Sequence, residues 1–162
     1  METKTISSGW KLVICIIICQ LTGIISGWLT TTQNNSWYES IVKPSWNPPG
    51  YIFGPVWTIL YFLMAISLWL VWKSTAKETP KLQALLIFAL QLFLNFWWTL
   101  LFFKFHSPIS AFIEIMVMIA LILSTIVRFS KISKLAAWLL VPYISWVCFA
   151  ALLNYNLWKL NS

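Results

Sequence analysis

The chain contains no aspartate, and its 162 residues include only four acids: Glu2, Glu39, Glu78 and Glu114. Charged residues make up 9% of it, against about 25% in a soluble domain. There is one histidine, His106. These shortages exclude most familiar chemistry. No carboxylate pair is available for acid–base work, and no nucleophile–histidine–acid set is present. A lone histidine without neighbouring acids or thiols makes a poor metal site, so no metal is expected. The five glycines form no phosphate-binding loop. Three cysteines, Cys15, Cys19 and Cys148, lie in apolar runs without a CxxC pair, and Cys15 and Cys19 are too far apart along a helix for an easy disulfide. They read as small apolar residues.

What is present is apolar and aromatic. Hydrophobic residues make up 60% of the chain and aromatic ones 17%, with twelve tryptophans. Mean hydropathy is +0.80. The expected class is all-α: an integral membrane bundle of five transmembrane helices in one domain, 1–162. Five runs reach the roughly 20 residues that a bilayer crossing needs: Leu12–Leu29, Phe53–Trp72, Leu82–Phe103, Ile109–Val127 and Leu135–Trp158. They lack the alternation of barrel strands. The first run is longer than a signal-peptide core and no A-x-A site follows it, so it reads as helix 1.

The net charge of +7 does not indicate nucleic acid, because the basic residues sit between apolar runs. Lys4, Lys11, Lys73, Lys77, Lys81, Arg128, Lys131 and Lys134 fall on one side; Lys43, Lys104 and Lys159 fall on the other. The positive-inside rule then expects a cytoplasmic N-terminus, with the 30–52 loop and the C-terminus outside. That holds for a bacterial cell membrane or its equivalent. For a eukaryotic chain the mitochondrial outer membrane is the expectation.

Proline placement supports these limits. Pro55, Pro80 and Pro108 stand at or just before helix starts, where a missing N–H costs nothing. Pro142 lies inside the fifth run. It is expected to kink the helix and free the Trp138 carbonyl, unless it is simply a tolerated membrane proline. The segment KPSWNPPGYIFGPVW, 43–57, holds four of the seven prolines. Stiffened in this way, the 30–52 loop reads either as a lid over the bundle, with Trp37, Pro44, Trp46, Pro48 and Pro49, or as an interfacial aromatic belt.

Taken in order, Trp37-Tyr38, KPSWNPPG at 43–50, FGPVWTILY at 53–61, Gln91/Asn95/Trp98 and PYISWVCFAALLNYNLW at 142–158 resemble the translocator protein / tryptophan-rich sensory protein (TspO/MBR) family. The likeness runs from about Trp37 to Asn161. It implies a five-helix bundle, often a homodimer, with a pocket under the first loop that binds tetrapyrroles such as protoporphyrin IX and needs no cofactor. In animal members the ligands include cholesterol. Some bacterial members are credited with light-dependent porphyrin breakdown.

Candidate ligand residues follow. Gln91, Asn95 and Trp98 share one helical face, and the amides serve either interhelical bonding or a ligand. Trp146, Phe149, Ala150 and Leu153, with Tyr143 beside them, form a second face; Trp46 and Trp57 complete the set. The resemblance marks Trp57 and Trp146 as the tryptophans tied to porphyrin chemistry, catalytic only if the ligand is degraded. Glu114 is an acid within a span and therefore a functional candidate, with helix packing as the alternative. Leu153, Tyr155 and Lys159 fit a loose cholesterol pattern, although animal members end it in Arg. Cys19, Gly23 and Gly27 form a small-residue stripe, expected as a homodimer seam or as packing within one bundle. The remaining expected partners are the lipid bilayer and a porphyrin or other apolar small molecule.

Overall fold

A computed structural model describes residues 6–30 and 35–162; Lys4 and residues 31–34 of the expected lid lie outside them. Helix α1 spans Ser8–Thr30, and a single turn α2, Ser36–Ser40, lies in the loop. Helices α3 (Gly50–Trp72), α4 (Glu78–Thr99) and α5 (Pro108–Ser130) follow. The fifth span is two helices, α6 (Lys134–Leu139) and α7 (Val141–Leu160). Five stretches are long and apolar enough to cross a membrane: Ser8–Thr30, Gly50–Trp72, Glu78–Lys104, Pro108–Ser130 and Lys134–Leu160. The described residues contain no strand.

Three boundaries differ from expectation for local reasons. Helix α3 begins at Gly50, so Pro55 lies inside it and leaves the Tyr51 carbonyl without its usual donor. The fifth span breaks at Leu140, whose N–H turns back to Ala137 O at 3.1 Å, and Pro142 sits in the first turn of α7 rather than mid-helix. There its missing donor is harmless. Helix α4 ends at Thr99, and the span is completed by a π-helical turn, Leu100–Lys104, closed by Phe105 N–H to Leu100 O at 2.9 Å. His106 follows with φ 52°, a left-handed conformation that histidine tolerates better than most residues.

Lipid tails are as apolar as side chains, so small residues, close packing and polar links hold a membrane bundle together. Here α1 packs on α3, α3 on α6, α4 on α5 and α5 on α7. Phe88 and Phe129 stack at 5.7 Å between α4 and α5. Ser67 Oγ donates to Ala136 O at 2.7 Å, fixing α3 to α6. Asn154 ties three helices together. It accepts from Trp98 Nε1 at 3.1 Å and donates to Pro108 O at 2.8 Å.

Candidate ligand site

A cavity of about 1310 Å³ lies between α1, α3, the end of α4 and α7, under the loop that carries α2. Its aromatic wall is Phe53 and Trp57 from α3, Trp98, Phe102 and Phe103 from α4 and its π turn, and Trp146 from α7. Tyr38, Asn47, Pro48 and Pro49 form the loop side. Tyr38 donates from its hydroxyl to Asn47 Oδ1 at 3.0 Å. Burial pushes the pKa of that phenol up, and the Asn47 bond opposes the shift.

The loop is fastened at several points. Asn35 caps α2 by accepting from Tyr38 N at 2.9 Å, and its Nδ2 donates to Phe103 O at 2.9 Å. Trp37 stacks on His106 with centroids 4.6 Å apart. Val42 and Asn161 exchange two bonds: Val42 N to Asn161 Oδ1 at 2.8 Å, and Asn161 Nδ2 to Val42 O at 2.9 Å.

Of the expected ligand residues, Trp57, Trp98, Trp146, Ala150 and Leu153 stand on the cavity wall. Trp57 stacks on Tyr61 at 5.5 Å. Trp146 packs edge-on to Phe53 at 5.9 Å, and its buried Nε1 has no hydrogen-bond partner. The other five lie elsewhere. Trp46 and Phe149 pair with each other at 5.9 Å, outside the cavity lining. Gln91, Asn95 and Tyr143 are fully buried one layer behind the wall. There the Tyr61 hydroxyl donates to Asn95 Oδ1, Asn95 Nδ2 donates to Tyr143 OH at 3.3 Å, and that hydroxyl donates to Gln91 Oε1 at 2.7 Å. An amide in a membrane interior is stable only when paired, and the two tyrosines supply the pairing. Gln91 Nε2 is the unpaired end of this chain.

Of the expected lid residues, Pro48 and Pro49 line the cavity, whereas Trp37, Pro44 and Trp46 do not. Trp37 serves instead as an anchor, against His106 and Phe102. The small-residue stripe turns toward the interior of its own bundle. Cys19 is fully buried, Gly23 lies under the Tyr61 ring, and Gly23 and Gly27 both border the cavity. Cys15 is buried like Cys19, but Cys148 is exposed on the bundle's outer face. Glu114 is buried outside the cavity lining, with neither oxygen hydrogen-bonded. The cholesterol pattern does not form one surface. Leu153 is buried at the cavity, whereas Tyr155 packs on Phe112 at 5.4 Å.

Residues that sequence reasoning missed are Tyr61, Phe53, Phe102, Phe103, Tyr38, Asn47 and Lys43, all at the cavity. Tyr61 had a signal, since it falls four residues after Trp57 on the same helical face.

A five-helix bundle of this length and composition is an integral membrane protein. The chain belongs to the TspO/MBR family, whose model matches residues 15–159. It is 38% identical over 150 residues to the tryptophan-rich protein TspO of Chlorobaculum tepidum, covering 93% of this chain and 95% of that one. The corresponding protein of Archaeoglobus fulgidus is 36% identical over 152 residues, covering 94% and 97%. The human translocator protein is 37% identical over 126 residues, covering 77% of this chain and 75% of its own.

Proposed function

We propose that the protein binds a tetrapyrrole such as protoporphyrin IX in the cavity under its first loop, for sensing, sequestration or transport. The observation that carries this reading is the cavity itself. At about 1310 Å³ it exceeds the roughly 300–1,000 Å³ of ordinary small-molecule sites, and tryptophans stand on α3, α4 and α7 around it. A flat macrocycle needs that breadth and those ring faces. The charge distribution supports an orientation with the N-terminus cytoplasmic and the loop outside. A homodimer belongs to the proposal.

The test is a titration of purified protein with protoporphyrin IX in the dark, read by tryptophan quenching. Saturable binding is expected. Failure to saturate would remove the tetrapyrrole from this cavity.

A second reading, light-dependent porphyrin breakdown, draws support from the positions of Trp57 and Trp146 on the cavity wall. Photoexcited porphyrin would be the oxidant, and an indole would donate the electron. Trp57→Phe/Trp146→Phe retains aromatic volume but removes the more easily oxidised rings. Loss of the porphyrin absorption bands under light in the parent alone would favour this reading. Equal bleaching in parent and variant would leave a binding protein.

A further inference from the structure

The end of the bundle opposite the α2 loop carries Lys11, Lys73, Lys77, Arg128, Lys131 and Lys134, and among the described residues none of them has an acid partner. The acid described at this end, Glu78, is bonded to Lys81 Nζ at 2.7 Å; Glu2 lies outside the described residues. Side-chain bonds draw the helix ends together. Trp69 Nε1 on α3 donates to Ser8 O on α1 at 2.9 Å, and Arg128 on α5 donates to Gln83 Oε1 on α4 at 3.0 Å. Two of the lysines rest on indoles: Lys73 Nζ lies 3.4 Å from the Trp69 ring centroid, and Lys11 Nζ lies 5.6 Å from that of Trp72. An indole face holds an ammonium without cancelling its charge. The helix dipole favours a cation at Lys73, which caps the C-terminus of α3. It opposes one at Lys11, in the first turn of α1, where no acid stands. The bundle's own electrostatics therefore do not account for Lys11, whereas an anion outside the bundle would.

We propose that this end of the bundle binds anionic phospholipid, with Lys11 and Lys73 taking the headgroup phosphate. Three features favour a lipid over a free anion. The lysines stand where the spans Ser8–Thr30 and Gly50–Trp72 meet the membrane surface. Trp10, Trp69 and Trp72 stand at the same level, and indoles settle at the headgroup region. Val13 and Ile17, exposed on α1 beyond Lys11, continue the site as an apolar track for acyl chains. Clustered lysines and arginines beside a span are attracted to an anionic leaflet. Neither Lys11 nor Lys73 lines the cavity, so this inference is independent of the tetrapyrrole reading. Lys104 and Lys159, exposed at the opposite end, provide an internal comparison.

The experiment titrates the full chain, in a neutral detergent, with phosphatidylglycerol or with phosphatidylcholine of identical acyl chains, and counts bound lipid by native mass spectrometry. Wild type should favour phosphatidylglycerol by about twenty-fivefold, taking about fivefold for each of the two lysines. Added salt should shrink that preference. Lys11→Gln/Lys73→Gln should erase it by weakening phosphatidylglycerol alone, and Lys11→Arg/Lys73→Arg should retain it. Lys104→Gln/Lys159→Gln removes the same charge from the other end and should leave the preference within about twofold of wild type. Equal binding of the two lipids by wild type would overturn the proposal. An equal loss of preference in both glutamine pairs would also overturn it, because net charge rather than this site would then select the lipid. Displacement of phosphatidylglycerol by an equimolar amount of inorganic phosphate would overturn the lipid assignment in favour of a free anion. A lowered melting temperature in Lys11→Gln/Lys73→Gln with lipid preference unchanged would overturn it too, leaving the two lysines to hold the helix ends.

Discussion

Gly23→Ala is the sharpest test of how α1 meets α3. A Cβ at Gly23 would stand 2.9 Å from Tyr61 Cδ2 and 3.3 Å from Cζ, and closer still to Cε2. Real Cβ atoms do not tolerate such contacts, so the ring or the helix must move. The ring has little freedom, because it stacks on Trp57 and its hydroxyl is bound to Asn95. The expected cost is that of overpacking a filled interior, about 1–3 kcal/mol. A chain of this size would lose about 2–4 °C of melting temperature per kcal/mol, taking the soluble-protein scale. The opposing gain from replacing a mid-helix glycine is about 0.5–1 kcal/mol, too small to reverse the sign. Gly9→Ala is the control, because a Cβ there meets nothing within 4 Å. It should be neutral or slightly stabilising. Thermal unfolding in one detergent, monitored by tryptophan emission, compares the two. Gly23→Ala/Tyr61→Leu, which trims the ring, should recover part of the loss. If Gly23→Ala melts like Gly9→Ala while dissociating a dimer, the inward packing is wrong and the stripe is a seam after all.

Two further substitutions separate wall from support. Asn95→Leu removes both tyrosine bonds. Membrane hydrogen bonds average about 0.6 kcal/mol, so a loss of about 1–2 kcal/mol is expected once stranded hydroxyls are included; dark ligand affinity should stay within about twofold, since Asn95 is outside the cavity lining. A large affinity loss with unchanged melting would instead make Asn95 a ligand contact. Asn161→Ala cuts both bonds to Val42 and should speed hydrogen exchange in residues 35–49 without moving the global melt; unchanged exchange would mean that the loop is held elsewhere.

The five spans were legible because a bilayer demands length and apolarity, and both can be counted along a chain. The faces of those spans were not. A soluble helix declares its buried side by contrast with a polar one. Here lipid and interior select the same residue types, so Phe149 and Trp146 read alike although only Trp146 borders the cavity. Gly23 and Gly27 announced a close approach without naming the neighbour, and that neighbour is Tyr61. Gln91 and Asn95 declared that they needed partners. Two tyrosine hydroxyls on other helices meet that need for Asn95 and for Gln91 Oε1, leaving only Gln91 Nε2 unpaired. Nothing in Leu100-Leu101-Phe102-Phe103-Lys104 distinguishes a π turn from an α turn, so the turn was not legible although the end of the third span was.

That π turn links the proline-rich loop to the cavity. A wider turn redirects the side chains at its end, and here Phe102 and Phe103 both reach the cavity. The same two rings are where the loop lands: Trp37 and Tyr38 pack edge-on to Phe102, and Tyr38 packs on Phe103 at 5.5 Å. Asn35 completes the joint by taking the Phe103 carbonyl. The loop that covers the cavity is therefore also seated on its aromatic wall. Its prolines have a physical task in that arrangement: with φ fixed at Pro44, Pro48 and Pro49, the unfolded loop has less freedom to lose on docking. Any ligand that separates the walls must strain the loop as well, and any change in the loop must alter the walls. Stiffness and aromaticity occur together in KPSWNPPGYIFGPVW because that segment continues the cavity wall.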